Sequence, residues 1–207
     1  HRYLNIKKED PKWEDRDRFI LSKGHAGIAY APVLCDFGYN DPEQLKTFNL
    51  TNSKMGIHLD SNKVAGVDAS TGSLGHGIPI AAGTAIAARV LGKDYYTYVV
   101  TGDGELDEGS NWEGLMTIRH YNLTNCITIV DRNHCMIDGN TEDVMKLEPL
   151  ADKFVAFGFH TIVCEGNNIV SLCKAIDEAH KTKAKPTVIV ADTIKGVGIK
   201  LTSGNYK

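Results

Sequence analysis

No apolar run in this sequence approaches the ~20 residues that a membrane-spanning helix needs, so nothing in it reads as a bilayer segment. Charge of one sign is also lacking. The 26 acidic side chains stand against 23 basic ones, and a net charge of −3 offers no field for nucleic acid or anionic lipid. The 5 cysteines are odd in number and show no Cys-x-x-Cys spacing. Cys35, Cys126, Cys135, Cys164 and Cys173 lie mostly among apolar neighbours, which suits reduced, buried thiols and a cytoplasmic setting better than a disulfide framework. No Gly-x-Gly-x-x-Gly follows the first strand-like run, which removes the dinucleotide-binding fingerprint. Repeats, low-complexity tracts and internal linkers are missing as well.

What remains is globular in composition, with 42% hydrophobic and 24% charged residues. A chain of 207 residues can bury a sizeable core, and one domain over 1–207 is the expectation. It opens on His1-Arg2-Tyr3 without an initiator Met or leader and trails off through Gly204-Asn205-Tyr206-Lys207. The expectation is a domain trimmed at both ends from a longer polypeptide.

The informative stretch runs from Thr101-Gly102-Asp103-Gly104-Glu105 to Asp131-Arg132-Asn133-His134-Cys135. It starts where the apolar run Tyr95 to Val100 ends and closes where Cys126 to Val130 ends. Between them, Glu108 to Tyr121 carries Trp112, Leu115, Met116 and Ile118 at roughly helical spacing. Strand–helix–strand units of this kind build parallel sheets with right-handed crossovers. Asp103 and Asn133 then stand just past the carboxyl ends of two parallel strands, where open α/β sheets bind ligands. A carboxylate, an amide oxygen and a nearby backbone carbonyl form a hard-oxygen set suited to Mg²⁺ or Ca²⁺ bridging a diphosphate. Gly102 and Gly104 allow the backbone to approach phosphate closely.

Elsewhere, Asp15-Arg16-Asp17-Arg18 reads as a charged surface segment and Phe19-Ile20-Leu21 as a short apolar run. Ser22 is placed to cap a buried helix over Ala26 to Phe37, and Asp41-Pro42 to start another. Asn49 to Ser70 reads as a long loop, a usual sign of function, and it contains His58. Ser70 to Gly77 is glycine-rich and opens an Ala-rich helix from about Ile78 to Leu91, whose amino end can hold an anion or the edge of a heteroaromatic ring. Met136 to Thr141 turns the chain away from the site. Leu147 to Phe157 and Val170 to Thr182 read as helices, and His160 to Cys164 and Thr187 to Ala191 as short strands.

Five segments together resemble the diphosphate-binding (PP) domain of transketolase over nearly the whole chain: Ser22-Lys23-Gly24-His25-Ala26, Ser70 to Gly75, Gly102 to Glu105 with Glu108-Gly109 and Glu113, Asp131-Arg132-Asn133, and Ile137-Asp138-Gly139. Lys23-Gly24-His25 with Thr193-Ile194-Lys195-Gly196 is most similar to the N-terminal subunit of split transketolases. The resemblance implies a three-layer α/β/α fold with a mainly parallel sheet and a thiamine diphosphate-binding site. It implies a metal set of Asp103, Asn133 and the Cys135 carbonyl, and a diphosphate turn of Gly102, Asp103, Gly104 and Glu105. Gly72, Ser73 and Leu74 would lie against the cofactor, and Glu108 and Glu113 would join the acidic cluster that links two cofactor sites across a dimer. His25 and His58 match histidines that ring the reactive carbon and bind donor-sugar hydroxyls.

Some positions depart from the family's pattern. Ile57 and Leu59 stand where Gly and Pro are commoner. His76 replaces a usual Gln and could hydrogen-bond near the cofactor. Lys195 takes the place of an apolar residue and could reach the diphosphate. The pyrimidine-binding domain, with the Glu that activates the cofactor and the groups that hold sugar phosphate, is not in these residues. The resemblance therefore implies a transketolase-type enzyme moving a two-carbon ketol unit from a ketose phosphate to an aldose. It would be active only with a pyrimidine-domain partner, as a separate C-terminal subunit or the rest of one polypeptide, in a homodimer of heterodimers. A specialised sugar transketolase, a dihydroxyacetone synthase, a deoxyxylulose-phosphate synthase type and a non-catalytic remnant remain as alternatives.

Overall fold

The computed structural model describes residues 2–137, 139–200 and 203. Asp138 of the Ile137-Asp138-Gly139 motif and the last four residues lie outside them. Five strands form one parallel sheet: β1 (Arg18–Leu21), β2 (Thr97–Gly102), β3 (Cys126–Arg132), β6 (His160–Glu165) and β7 (Thr187–Asp192), in the order β1-β2-β3-β7-β6. Between β3 and β6 lie a two-residue hairpin, β4 (Cys135–Met136) with β5 (Gly139–Asn140), and two short helices, α4 (Thr141–Val144) and α5 (Leu150–Ala156). The larger helices are α1 (Gly27–Phe37), α2 (Gly77–Val90), α3 (Gly109–His120) and α6 (Ile169–Lys181).

Strand alternation sorts side chains between two faces, because successive residues of a strand point to opposite sides. Val99, Cys126, Val130, Val188 and Val190 join a core with Ile78, Ala81 and Ala85 of α2, Leu115 and Ile118 of α3, and Leu150 and Phe154 of α5. Their neighbours Tyr98, Ile127 and Ile189 point the other way, onto Ala175 and Ala179 of α6. The result is the expected three-layer α/β/α arrangement. Progress from β1 to β3 and return from β6 to β7 run in opposite directions, so one hand of crossover puts their helices on opposite faces. Small residues let α2 and α3 approach closely: a Cβ on Gly114 would stand 2.9 Å from the Pro79 backbone nitrogen.

The elements depart from the sequence reading in several places. Phe19 to Leu21 belongs to a full edge strand paired with β2, which its four-residue length concealed. Asp17, read as part of a surface segment, is buried and accepts from the Tyr96 and Asn5 amides at 2.7 and 2.8 Å. α1 is buried on one face only; Ile28 and Val33 are exposed. Ser22 does not cap α1. Its hydroxyl accepts from the Gly77 amide at 3.1 Å, capping α2 across 55 residues of sequence. Asp41 does cap its helix, accepting from the Glu43 amide at 2.9 Å, but that helix is a 3₁₀ segment, Pro42–Thr47. The helix read over Leu147 to Phe157 begins at Leu150, immediately after Pro149. Residues 49–70 are irregular, as expected, although Met55, Leu59, Val64 and Val67 pack a small core under α1. Two of the cysteines, Cys35 and Cys126, are buried and the other three only half-buried; all five are free thiols.

Candidate functional site

The hydrogen-bond ladder runs one residue beyond three of the strands. Ser22 N–H donates to Val100 at 2.7 Å, Asp103 N–H to Asp131 at 3.2 Å and Thr193 N–H to Arg132 at 3.0 Å. Three polar side chains are thereby fixed along one carboxyl edge of the sheet, and this is the edge that binds ligands in open α/β folds.

Asp103 caps the 3₁₀ turn Gly104–Asp107, its Oδ1 accepting from the Gly104 amide at 2.8 Å. Its Oδ2 accepts from the His134 amide at 2.7 Å and from Arg132 Nη1 at 3.0 Å. Arg132 is itself buried and also donates to Thr141 Oγ1 at 2.6 Å and to Glu142 and Glu148 at 3.0 and 2.8 Å. Burial works against its charge, yet Glu148 and Asp103 hold the guanidinium above its ordinary pKa. Asn133, one strand over, accepts from the Cys135 amide at 3.0 Å through Oδ1 and donates to Asp131 Oδ2 at 3.2 Å through Nδ2. The Cys135 carbonyl comes close as well: a Cβ on Gly104 would stand 3.8 Å from it and 3.0 Å from Met136 Cβ.

Asp103, Asn133 and the Cys135 carbonyl thus lie around one glycine-lined turn. Among the described residues no three His, Cys, Asp or Glu side chains converge on a common point, so a soft or imidazole-rich metal centre has no support. One carboxylate, one amide oxygen and one backbone carbonyl fit a hard divalent cation that fills its remaining positions from a diphosphate and water.

Glu105 organises the opposite wall through contacts that no local pattern announces. Its buried carboxylate accepts from the Ser22 hydroxyl, from the Gly75 amide at 3.0 Å, from Thr101 Oγ1 at 2.8 Å and from the Gly102 amide at 3.1 Å. The side chain therefore faces the protein; what this turn can offer a diphosphate is backbone. The glycine-rich segment is pressed against its neighbours. A Cβ on Gly24 would come within 2.5 Å of the Thr71 carbonyl, and one on Gly75 within 2.6 Å of Glu108 Cβ. Ser110 Oγ donates to the Gly75 carbonyl at 2.8 Å, so the first turn of α3 holds the same segment.

Two of the expected histidines reach this rim. A Cβ on Gly72 would stand 2.9 Å from His58 Cδ2, so the imidazole covers that glycine. His25 follows Gly24 in the 3₁₀ turn Gly24–Ala26. Desolvation, then the Lys23 charge, hold its pKa below the ordinary histidine value; Glu105 opposes, and His58 and Lys195 are near enough to add to the lowering. Ser73, His76 and Lys195 are exposed, Leu74 is half-buried, and His76 makes no side-chain cap at the start of α2. Glu108 stands exposed in extended backbone just before α3, and Glu113 is exposed on that helix. Asp107 beside them has its pKa raised, mainly by burial, against the pull of Lys153 and with Asp103 and Glu108 adding to it.

Three side chains at this edge escaped sequence reasoning as functional groups: Lys23, Arg132 and Asp131. Lys23 Nζ pairs with Asp131 Oδ2 at 2.5 Å, and Thr193 Oγ1 donates to Asp131 Oδ1 at 2.5 Å. Burial pushes the Asp131 pKa upward, but Lys23, Thr193 and Asn133 together hold it below the usual carboxylate range. The charged pair Asp131-Arg132 at the end of an apolar strand was the available signal.

A family profile described as transketolase, thiamine diphosphate binding domain, matches residues 1–207. The chain is similar to one of the subunits of the apulose-4-phosphate transketolase of Actinobacillus succinogenes, at 41% identity over 205 residues, 98% of this chain and 74% of that one. It is also similar to the 6-deoxy-6-sulfo-D-fructose transketolase subunit SqwG of a Clostridium species, at 38% identity, covering 98% of this chain and 74% of the relative. Transketolase from Campylobacter jejuni superposes with a TM-score of 0.93 at 31% identity, over 98% of this chain and 33% of that structure. Transketolase from Leishmania mexicana gives 0.91 at 36% identity, over 99% and 33%. The chain therefore spans about a third of the length of these two solved proteins.

Proposed function

The chain belongs to the transketolase family as its N-terminal, thiamine diphosphate-binding domain, and we propose that it is the diphosphate-and-metal half of a ketol transferase. The observation that carries this is the grouping of Asp103, Asn133 and the Cys135 carbonyl at the Gly102-Asp103-Gly104 turn, to which Glu105 ties the glycine-rich segment at Gly75. Relatives of the chain are transketolases, enzymes that transfer ketol groups.

Asp103, Asn133 and the Cys135 carbonyl would hold Mg²⁺ or Ca²⁺, and the Gly104 backbone would meet the diphosphate. Bound thiamine diphosphate supplies the nucleophilic carbon and the electron sink that two-carbon transfer requires. Gly72, Ser73 and Leu74 form the wall against it, flanked by His76 and Lys195. His25 and His58 hydrogen-bond the donor sugar's hydroxyls and exchange protons with its carbonyl oxygen, work suited to imidazoles near neutral pH. Glu108 and Glu113, exposed here, meet their counterparts in a second copy.

The partner is a C-terminal subunit or domain carrying the pyrimidine-binding fold, in a homodimer of heterodimers, and the substrates are sugar phosphates. The subunit names of the two relatives favour a separate partner chain, and their substrates favour a specialised sugar as donor. The five free thiols favour a reducing, cytoplasmic setting. No helix among the described residues is long and apolar enough to cross a membrane. The test is calorimetric titration of thiamine diphosphate with Mg²⁺ into the chain, alone and with the polypeptide encoded beside it. Tight binding only with the partner, lost in Asp103→Ala, is expected. Full ketol transfer by this chain alone would refute the split assignment, and no binding in either case would leave a non-catalytic remnant.

A further inference from the structure

Lys23 leaves the end of β1, yet its ammonium group sits at the end of β3, two strands away. Its Nζ lies 2.5 Å from Asp131 Oδ2, with only 13% of the side chain exposed. The stem crosses the end of β2: a Cβ on Gly102 would stand 4.0 Å from Lys23 Cδ. Asp131 is the node on which this cation acts. The same Oδ2 accepts from Asn133 Nδ2 at 3.2 Å, while Oδ1 accepts from Thr193 at 2.5 Å.

Asn133 is consequently held at both ends of its amide. Nδ2 faces a carboxylate, and Oδ1 faces the Cys135 N–H at 3.0 Å. The flipped amide would set a donor against a donor and an acceptor against a carboxylate, so only one orientation is allowed. That orientation puts the oxygen on the Cys135 side, where the Cys135 carbonyl also approaches Gly104.

We propose that Lys23 is a positioning residue for Asn133. It anchors Asp131, and Asp131 fixes the amide so that its oxygen is presented as a metal ligand. The inference rests on the thiamine diphosphate reading above. Outer-shell partners of this kind typically alter metal affinity by about 10–100-fold. Removing the ammonium group leaves Thr193 alone to anchor the Asp131 carboxylate, and so loosens its hold on the Asn133 amide.

The experiment uses the complete assembly, chain plus pyrimidine-domain partner. Mg²⁺ is titrated calorimetrically at saturating thiamine diphosphate into wild type, Lys23→Met, Lys23→Arg and Asp131→Asn. The half-saturating Mg²⁺ concentration is expected to rise about tenfold or more in Lys23→Met and Asp131→Asn, and to stay near wild type in Lys23→Arg. Lys23→Gln replaces the Met variant if that protein does not fold. Unchanged Mg²⁺ dependence in the uncharged variant overturns the proposal. So does weaker thiamine diphosphate binding with unchanged metal affinity, which would make Lys23 a direct diphosphate contact. A wild type that binds no thiamine diphosphate removes the functional reading and this inference together, whereas a binding wild type with an unresponsive Lys23→Met removes this inference alone.

Discussion

Arg132 and Asp103 face each other across 3.0 Å with side chains only 3% and 1% exposed. The guanidinium is the counter-charge of the carboxylate that the proposed metal site depends on. Removing one member of a buried pair leaves the other charged and unpaired, at a cost of about 3–5 kcal/mol. Arg132→Ala should therefore lower the urea midpoint strongly. In the assembly with the pyrimidine-domain partner, thiamine diphosphate with Mg²⁺ should restore part of the loss, because a cation at Asp103 replaces the missing charge and ligand binding stabilises the folded state. A melting temperature that ignores the ligand in this variant would contradict the assignment of Asp103.

Glu105→Ala is expected to fail in two ways at once. It strands the Gly75 and Gly102 amides and the Ser22 and Thr101 hydroxyls, and unsatisfied buried donors cost about 1–3 kcal/mol each. It also unmoors the Gly72 segment from the Gly102 turn. Thermal melting and calorimetry on the assembly should show lower stability together with weaker thiamine diphosphate binding. Ser22→Ala should give a smaller stability loss, since it removes the cap at α2 and only one of the four donors to Glu105.

Cys135 contributes its backbone, not its sulfur, to the proposed metal set. Cys135→Ala should leave Mg²⁺-dependent cofactor binding within about twofold of wild type, where loss of an interaction worth about 1.4 kcal/mol would change it about tenfold. Thiol-directed alkylation at this position should be equally harmless to metal affinity. A large loss in Cys135→Ala would point to thiolate ligation.

For His25 the direction of the shift sets the pH behaviour. Desolvation and Lys23 depress its pKa, so the folded protein disfavours the imidazolium. Its protonation therefore counts against folding as pH falls below the unfolded value near ~6.5, and has no effect on stability well above it. If neutral His25 takes a substrate proton, the acid limb of kcat/KM lies below pH ~6.5. Its replacement by Asn should abolish that limb and lower kcat by about 10²–10⁴-fold. Cofactor affinity should change little.

Much of the site's frame was legible because it rests on local rules. Two apolar runs flanking a helical spacing marked out β2, α3 and β3, and the ends of those strands put Asp103 and Asn133 on the ligand edge. The long irregular stretch carrying His58 was legible for the same reason, since few apolar residues in it follow a period. What escaped depends on contacts between distant segments. Ser22 looks like a cap for the next helix, yet it serves α2 because β1 ends beside the amino end of that helix. Asp17 looks solvated until the Tyr96 amide, 79 residues away, is found bonded to it. Lys23 and Asp131 are separated by 108 residues, and only the parallel register of β1, β2 and β3 brings them together. Pattern within a window of sequence carries none of this.

The carboxylate of Glu105 acts as a rivet through three layers of chain: the end of β1 at Ser22, the glycine-rich segment at Gly75 and the end of β2 at Gly102. A partner docking against Glu108, which packs close to Gly75, would press on backbone that Glu105 ties to Gly102, the residue before Asp103. Assembly and metal binding would thus share one mechanical linkage, and a variant that loosens it should uncouple the two before it unfolds the domain.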